Sequence, residues 1–400
     1  MALDTPSFAF EFKPGTIRFG RGHIDGLDET LAGEGLESAM VVCGQTVGAT
    51  DAVIDPVKAG LGDRLTGVFD KTTTAKTLST VFDGIEQFQT EDADAIVAVG
   101  GGSSIDVARG ISALARADRT LTDARSEILE SGELTLPVND DAFVPILAVP
   151  TTMAGADLSV AAGLVAETEE GSVEAIPVDT RLMPTALVYD PDLFETTPMD
   201  ILTASAINGF DKGVEAIYSR FANPVTDATA VRGLRYLRSS LPHLRESAEP
   251  EVMERAVAGT LLVQYGVSMP DQYKINVVHA FGHALRNQFG IQQGAAHGVI
   301  VPHALELIFA EGGGRPDVLA DGLVTGEENA DTTEAAIVEA VRTVRDGLGL
   351  PSRLRDIQGT MVAGLRAVAE HTAEDAFLEI GPAEFDPTVD DIERALRDAW

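Results

Sequence analysis

Short apolar runs alternate with amphipathic stretches through the first half of the chain. Residues 38–43, 65–69, 95–99, 144–149 and 186–189 have the dense aliphatic character of buried strands, and helical spacing fills several of the gaps between them. That alternation predicts parallel βαβ units. After Asp190-Pro191 the period changes. Residues 201–221, 227–241, 249–267, 278–288, 333–348 and 390–400 repeat as helices do, and no strand-like run remains. Thr332 or Thr333 followed by acids opens one of these helices, and Gly347 or Gly349 with Pro351 closes it. The expected architecture is an α/β domain with a parallel sheet over residues 1–193 and an all-α domain over 194–400.

Composition narrows the class. With 400 residues and 44% hydrophobic content, the chain can bury a large core. Apolar runs such as 144–149 and 299–302 fall far short of the roughly 20 residues that a membrane helix needs. The opening residues carry acid in place of a basic and apolar leader, so no signal peptide is expected. The single cysteine, Cys43, excludes a disulfide framework and a multi-cysteine metal site. The expectation is a soluble, cytoplasmic protein.

Charge adds a second constraint. Sixty-three acids face 29 bases for a net −34, only six of the bases are lysine, and the acids are spread along the chain. A diffuse acidic surface that favours arginine over lysine suits a salt-rich cytoplasm, where screening removes most self-repulsion, and points to a halophilic protein of haloarchaeal type. Nucleic acid is not an expected ligand, since binding it requires basic patches.

Two turns carry candidate chemistry. In Ala95-Ile-Val-Ala-Val-Gly100-Gly101-Gly102-Ser103-Ser-Ile-Asp106 a strand runs into three glycines and then a helix. Such a turn lets backbone approach an anion, and the helix N-terminus offers free N–H groups, so a pyrophosphate fits; a tight turn without ligand is the plainer alternative. No Gly-Lys-Ser/Thr follows, so this is not a P-loop. The second turn, Pro150-Thr151-Thr152-Met153-Ala154-Gly155-Ala156-Asp157-Leu158-Ser159, has the hydroxyls to line the same crevice, or is an ordinary polar loop. In the helical half, Asp211-x-x-x-Glu215 and His279-x-x-x-His283 each put two potential ligands on one helical face, and four of seven histidines fall between 279 and 303. A bare acid pair at this spacing is ordinarily solvated surface.

At these residues the chain resembles the iron-containing (group III) alcohol dehydrogenase superfamily. Gly100-Gly-Gly-Ser-x-x-Asp106 is followed by Pro150-Thr-Thr-x-Ala-Gly155, Pro184-Thr-Ala-Leu-Val-Tyr-Asp190-Pro191, Glu215-Ala216, His279-x-x-x-His283, Pro302-His303 and Gly347-Leu-Gly-Leu-Pro-Ser-Arg353, all in the family's order. The resemblance implies an N-terminal dinucleotide-binding domain, a helical catalytic domain, NAD(P)-linked oxidation or reduction between them, and a homodimer. Cofactor contacts are expected at Gly44, Gly100, Gly101, Gly102, Ser103, Asp106, Thr151, Thr152, Asp157 and Ser159. Gly44 stands where the family often carries an acid that disfavours NADP, so NADP(H) is expected to be tolerated.

The family's metal site reads differently here. Metal-dependent members carry S-G-M-D-x-x-x-H-A-I-E-A, against Ser205-Ala-Ile-Asn208-Gly-Phe-Asp211-Lys212-Gly-Val-Glu215-Ala216. The four metal-ligand positions become Asn208, Lys212, His279 and Gln293. A lysine ammonium repels a cation, so no metal is expected, and Lys212 is read as taking over the metal's electrostatic role. The maleylacetate reductases are similar at Asn208, at the threonine-rich turn and at His297, but keep histidines where Lys212 and Gln293 stand, which argues against maleylacetate itself. The leading expectation is a metal-independent reductase of a small anionic carbonyl compound. Lys212 and His279 polarise the oxygen, His283 or His297 relays the proton, and Asn208 and Arg286 bind substrate. The alternatives are a metal-dependent (Fe/Zn) alcohol dehydrogenase with the ion rebuilt on Asp211, His279, His283 or His297, and a non-catalytic dinucleotide-binding sensor.

Overall fold

The computed structural model describes residues 7–169, 171–247, 249–326 and 330–400; parts of two acidic runs, at 170 and 327–329, lie outside the described residues. Two compact units emerge. One comprises residues 12–152 and 156–197, the other residues 7–11, 153–155 and 198–400.

The first unit is built on six parallel strands: β1 (Thr16–Phe19), β2 (Ala39–Gly44), β3 (Leu65–Thr72), β4 (Ala95–Gly100), β5 (Ile146–Pro150) and, after a small antiparallel hairpin of β6 (Leu164–Thr168) and β7 (Gly171–Ala175), β8 (Ala186–Tyr189). Their order across the sheet is β1-β8-β5-β4-β2-β3. Strands β2, β4 and β5 are apolar at nearly every position because both faces are covered. Met40, Val42, Ile96, Ala98 and Ile146 pack into one core with the helices on that side. Alternate residues Ala39, Val41, Ala95, Val97 and Leu147 pack into a second core on the other side. Chain connections leave β2 and β4 in opposite directions, so their carboxyl ends, Gly44 and Gly100, flank the switch point where such sheets bind ligands.

Beneath that crevice runs helix α1 (Gly102–Leu114), whose Arg109 is fully buried. Its guanidinium donates to the carbonyls of Leu182 (3.1 Å), Asp157 (3.1 Å) and Ser159 (2.6 Å). Arg109→Met should lower stability by about 3–5 kcal/mol, because three buried carbonyls lose a charged donor. A thermal melt should show Tm falling by about 10 °C; an unchanged Tm would mean the loop does not depend on this cation.

The second unit is helical, and among the described residues no strand follows Tyr189. Three helices matter for the site: α2 (Met199–Tyr218), α3 (Val277–Phe289) and α4 (Gln293–Ala310). Helix α2 packs tightly because Gly209 has no side chain; a Cβ there would lie 2.2 Å from the Met153 carbonyl oxygen. Among the described residues no helix is long and apolar enough to cross a membrane.

Candidate functional site

In the sheet unit, the three glycines clear the start of α1. Gly100 has φ +131°, which favours glycine, and a Cβ on Gly101 or Gly102 would crowd Thr152 or Ala156 at 3.1–3.2 Å. Gly101 precedes α1 without a side-chain cap, leaving its first N–H groups for an anion. Ser103 is half-buried beside them, and the Thr151 N–H bonds the Gly100 carbonyl (3.1 Å), holding the two turns together. Three other predicted cofactor residues have structural partners. Asp106 accepts from Lys76 (3.3 Å) and the Gly163 N–H (3.3 Å), buried Asp157 accepts from the Tyr189 hydroxyl, and Ser159 Oγ accepts from the Ala161 N–H (3.2 Å). Near the end of β2, Asp70 on β3 has its Cβ 2.7 Å and its Oδ2 3.4 Å from where a Gly48 Cβ would stand. Burial, and then the Asp70 charge, push the Cys43 thiol up to about 12. Sequence reading missed Asp70 because strand pairing, not sequence distance, places it there.

The helical unit holds the histidines. Four pairs of acid and imidazole form, each through Nδ1: Glu215 with His279 (2.6 Å), Asp211 with His297, Asp375 with His283 (3.1 Å) and, on the exposed side of α4, Glu306 with His303 (3.2 Å). The His279 and His297 rings meet edge to face, centroids 4.6 Å apart, and His283 lies 6.4 Å from His279. Asp211 and Glu215 are each fully buried, so the expectation of a solvated acid pair fails. Their spacing faces them into the core of the helical unit, where each meets an imidazole. Burial raises Asp211 well above the usual carboxylate range and pushes Glu215 up to about 7; it drives His279 well down and His297 to about 3.

Lys212 is buried too, at 8% exposure, and does not snorkel to the surface. Its ammonium donates to the Ala154 carbonyl (2.8 Å), and its charge reaches both His279 and His297. Ser205 Oγ accepts the Met153 N–H (3.1 Å), and Gly155 lies against the Gln264 carboxamide with φ +72°. Residues 153–155 thus group with the helical unit, although residues 151–152 group with the sheet. Asn208 lies one turn before Lys212, half-buried, and Gln293 opens α4 near Gly282. Arg286 is exposed two turns after His279.

Residues 14–191 match the model of the iron-containing alcohol dehydrogenases, and residues 202–400 match that of the family's C-terminal domain. The chain belongs to the iron-containing alcohol dehydrogenase family. It is 27% identical over 395 residues to lactaldehyde reductase of Escherichia coli K12, covering 96% of this chain and 98% of the relative. Maleylacetate reductase of Sphingobium indicum is 26% identical over 299 residues, 74% of each chain. The structure of sulfoacetaldehyde reductase from Bifidobacterium kashiwanohense in complex with NAD+ has the same fold, with a TM-score of 0.83 at 19% identity over 98% of this chain and 99% of that one. Family membership makes the chain an oxidoreductase.

The family's name implies iron, and the residues give two answers. The four inherited positions do not fit an ion: Lys212 is cationic, and Asn208 and Gln293 offer only amide oxygens. A second set does converge. Asp211, His279 and His297 offer ligand atoms within 4.8 Å of one another, which leaves the expected absence of a metal without support. Asp211 Oδ1 and His297 Nε2 are buried without hydrogen-bond partners, as ligand atoms awaiting an ion would be. Against that, Asp211 Oδ2 already shares a hydrogen with His297 Nδ1, and His297 Nε2 faces the backbone at Gly282, where a Cβ would come within 2.2 Å.

Proposed function

We propose that this protein interconverts an alcohol and a small carbonyl compound using NAD(P)(H), with Lys212 in place of the family's metal. The carrying observation is the buried ammonium of Lys212 at an inherited ligand position, beside His279 and His297. Bound reduced dinucleotide would supply the hydride for reduction of the carbonyl carbon. Charge then develops on oxygen, where Lys212 stabilises it as a positioned cation, and His279 exchanges the proton with that oxygen. His297, expected above to relay the proton, buttresses the His279 ring from behind. The uncovered glycine turn supports a dinucleotide pyrophosphate. Gly44 leaves room for the 2′-phosphate of NADP, whereas Asp70 opposes it and favours NAD. Lys212 with Arg286 on α3 favours an anionic substrate, and reduction over oxidation follows the likeness to the lactaldehyde and maleylacetate reductases. The acidic composition supports a halophilic, cytoplasmic protein, and the family resemblance supports a homodimer.

The test is oxidation of NADH and NADPH across a panel of carbonyl compounds in high salt, before and after chelation. Turnover should persist on chelated protein and favour carboxylate- or phosphate-bearing carbonyls. No turnover with any carbonyl, despite dinucleotide binding, would leave a sensor as the better description. A second reading keeps a metal on Asp211, His279 and His297, because these three converge. There the ion would polarise the substrate oxygen, and chelation would abolish activity.

A further inference from the structure

We propose that Glu215 is a positioning residue that fixes the tautomer of His279, putting the hydrogen on Nδ1 and leaving the Nε2 lone pair for the substrate proton. The inference deepens the reading above, since it rests on His279 exchanging that proton.

The geometry divides the work of the carboxylate between its two oxygens. Oε1 accepts the backbone N–H groups of Asn276 (3.1 Å), Val278 (2.8 Å) and His279 (3.2 Å), where α3 begins. Oε2 is left for His279 Nδ1 at 2.6 Å. Three N–H donors and the positive end of the helix dipole favour the ionised form against the burial that raises this carboxyl to about 7, and with Glu215 ionised the shared hydrogen belongs to the ring. A neutral imidazole with Nδ1–H has Nε2 as its acceptor. The same carboxylate therefore anchors the helix and sets the ring.

The other histidines are arranged differently. His297 is also held through Nδ1, by Asp211, but its Nε2 faces the backbone at Gly282. His283 is held through Nδ1 too, by Asp375 (3.1 Å), but it is only half-buried and lies tilted beside Phe377, centroids 5.2 Å apart, and among the described residues its acid makes no bond to the start of α3. In the oxidising direction the substrate hydroxyl gives its proton to His279 Nε2 as the hydride leaves carbon for the oxidised nicotinamide. The products are a carbonyl, reduced dinucleotide and an imidazolium braced by Glu215. Reduction runs the same transfers backwards.

Glutamine at this position makes the test sharp. In Glu215→Gln, the three backbone donors demand the amide oxygen, which turns the NH2 toward His279 Nδ1. That nitrogen must then accept, and the hydrogen moves to Nε2. Nitrogen-15 NMR of histidine-labelled protein above pH 7, where Glu215 is ionised, assigned with His279→Gln, should show the Nδ1–H form in the wild type and the Nε2–H form in E215Q. Turnover should fall by roughly 10³–10⁴-fold, the scale of a wrong-tautomer defect in the acid–imidazole pair of an unrelated hydrolase. KM and dinucleotide affinity should stay within a few-fold, which a collapsed helix would not allow. An Nε2–H signal in the wild type overturns the proposal without needing any variant. Two failures separate cleanly. If His279→Gln leaves turnover intact, the proton role of His279 falls; if it abolishes turnover while E215Q stays fully active, only the role of Glu215 falls.

Discussion

Lys212→Met should lower turnover by about 10³-fold while leaving NAD(P)H affinity within two-fold of the wild type. The loss is that of one positioned donor to a developing oxyanion, about 4 kcal/mol of transition-state stabilisation. A structural role alone cannot account for so much. Lys212 donates to the Ala154 carbonyl, and losing that bond leaves one buried acceptor unsatisfied, at about 1–3 kcal/mol of stability. Such a loss lowers Tm by several degrees but leaves the folded fraction near unity in assay conditions. Turnover and Tm therefore report on separate roles. Steady-state kinetics, a fluorescence titration with NAD(P)H and a thermal melt on the same preparation provide the three readouts. Full turnover with a lowered Tm would reduce Lys212 to a clamp on residues 153–155, and the metal-free mechanism would fall with it. Lys212→Arg should recover part of the rate, because the charge is kept while its position shifts.

The parts of the fold that were legible in the sequence are those whose pattern has one cause. Strands β2, β4 and β5 are buried on both faces, which leaves uninterrupted aliphatic runs, and the glycine turn follows β4 where a helix must start close to the sheet. Strand β1 escaped notice because its four residues are only partly covered at the edge of the sheet, and the β6–β7 hairpin because it is short and largely exposed. Helix α4 was hidden for the opposite reason. It is buried nearly all round and contains Pro302, so neither an amphipathic stripe nor an unbroken helix-former run marks it.

The site divides along the same line. Histidines at 279, 283 and 297 stand out in a chain with seven, but their acidic partners do not. Asp211 and Glu215 look like any exposed helical pair until the fold buries them, and Asp375 lies 92 residues beyond His283 with no local signal. Lys212 was found through the resemblance and the scarcity of lysine; that its ammonium bonds a carbonyl of the threonine-rich turn needed the fold.

Restoring the inherited ligands should convert this protein into a metal enzyme. In Asn208→Asp/Lys212→His/Gln293→His, two carboxylate and imidazole ligands return one turn apart on α2, a third at the start of α4, and His279 is already present on α3. Four such ligands bind transition ions far more tightly than two amides, an ammonium and a single imidazole can. The triple variant should retain about one Zn²⁺ or Fe²⁺ per chain through dialysis, measured by elemental analysis. Any turnover it has should be lost on chelation, whereas the wild type should keep its turnover under the same treatment. Asp211→Asn in the otherwise natural chain completes the argument. If the wild type holds an ion that this change releases, the ligand set is Asp211, His279 and His297, and Lys212 acts beside a metal instead of replacing one. If the wild type holds none and the triple variant gains one, the substitution of lysine for a ligand histidine is what moved the electrostatic work from an ion to a side chain.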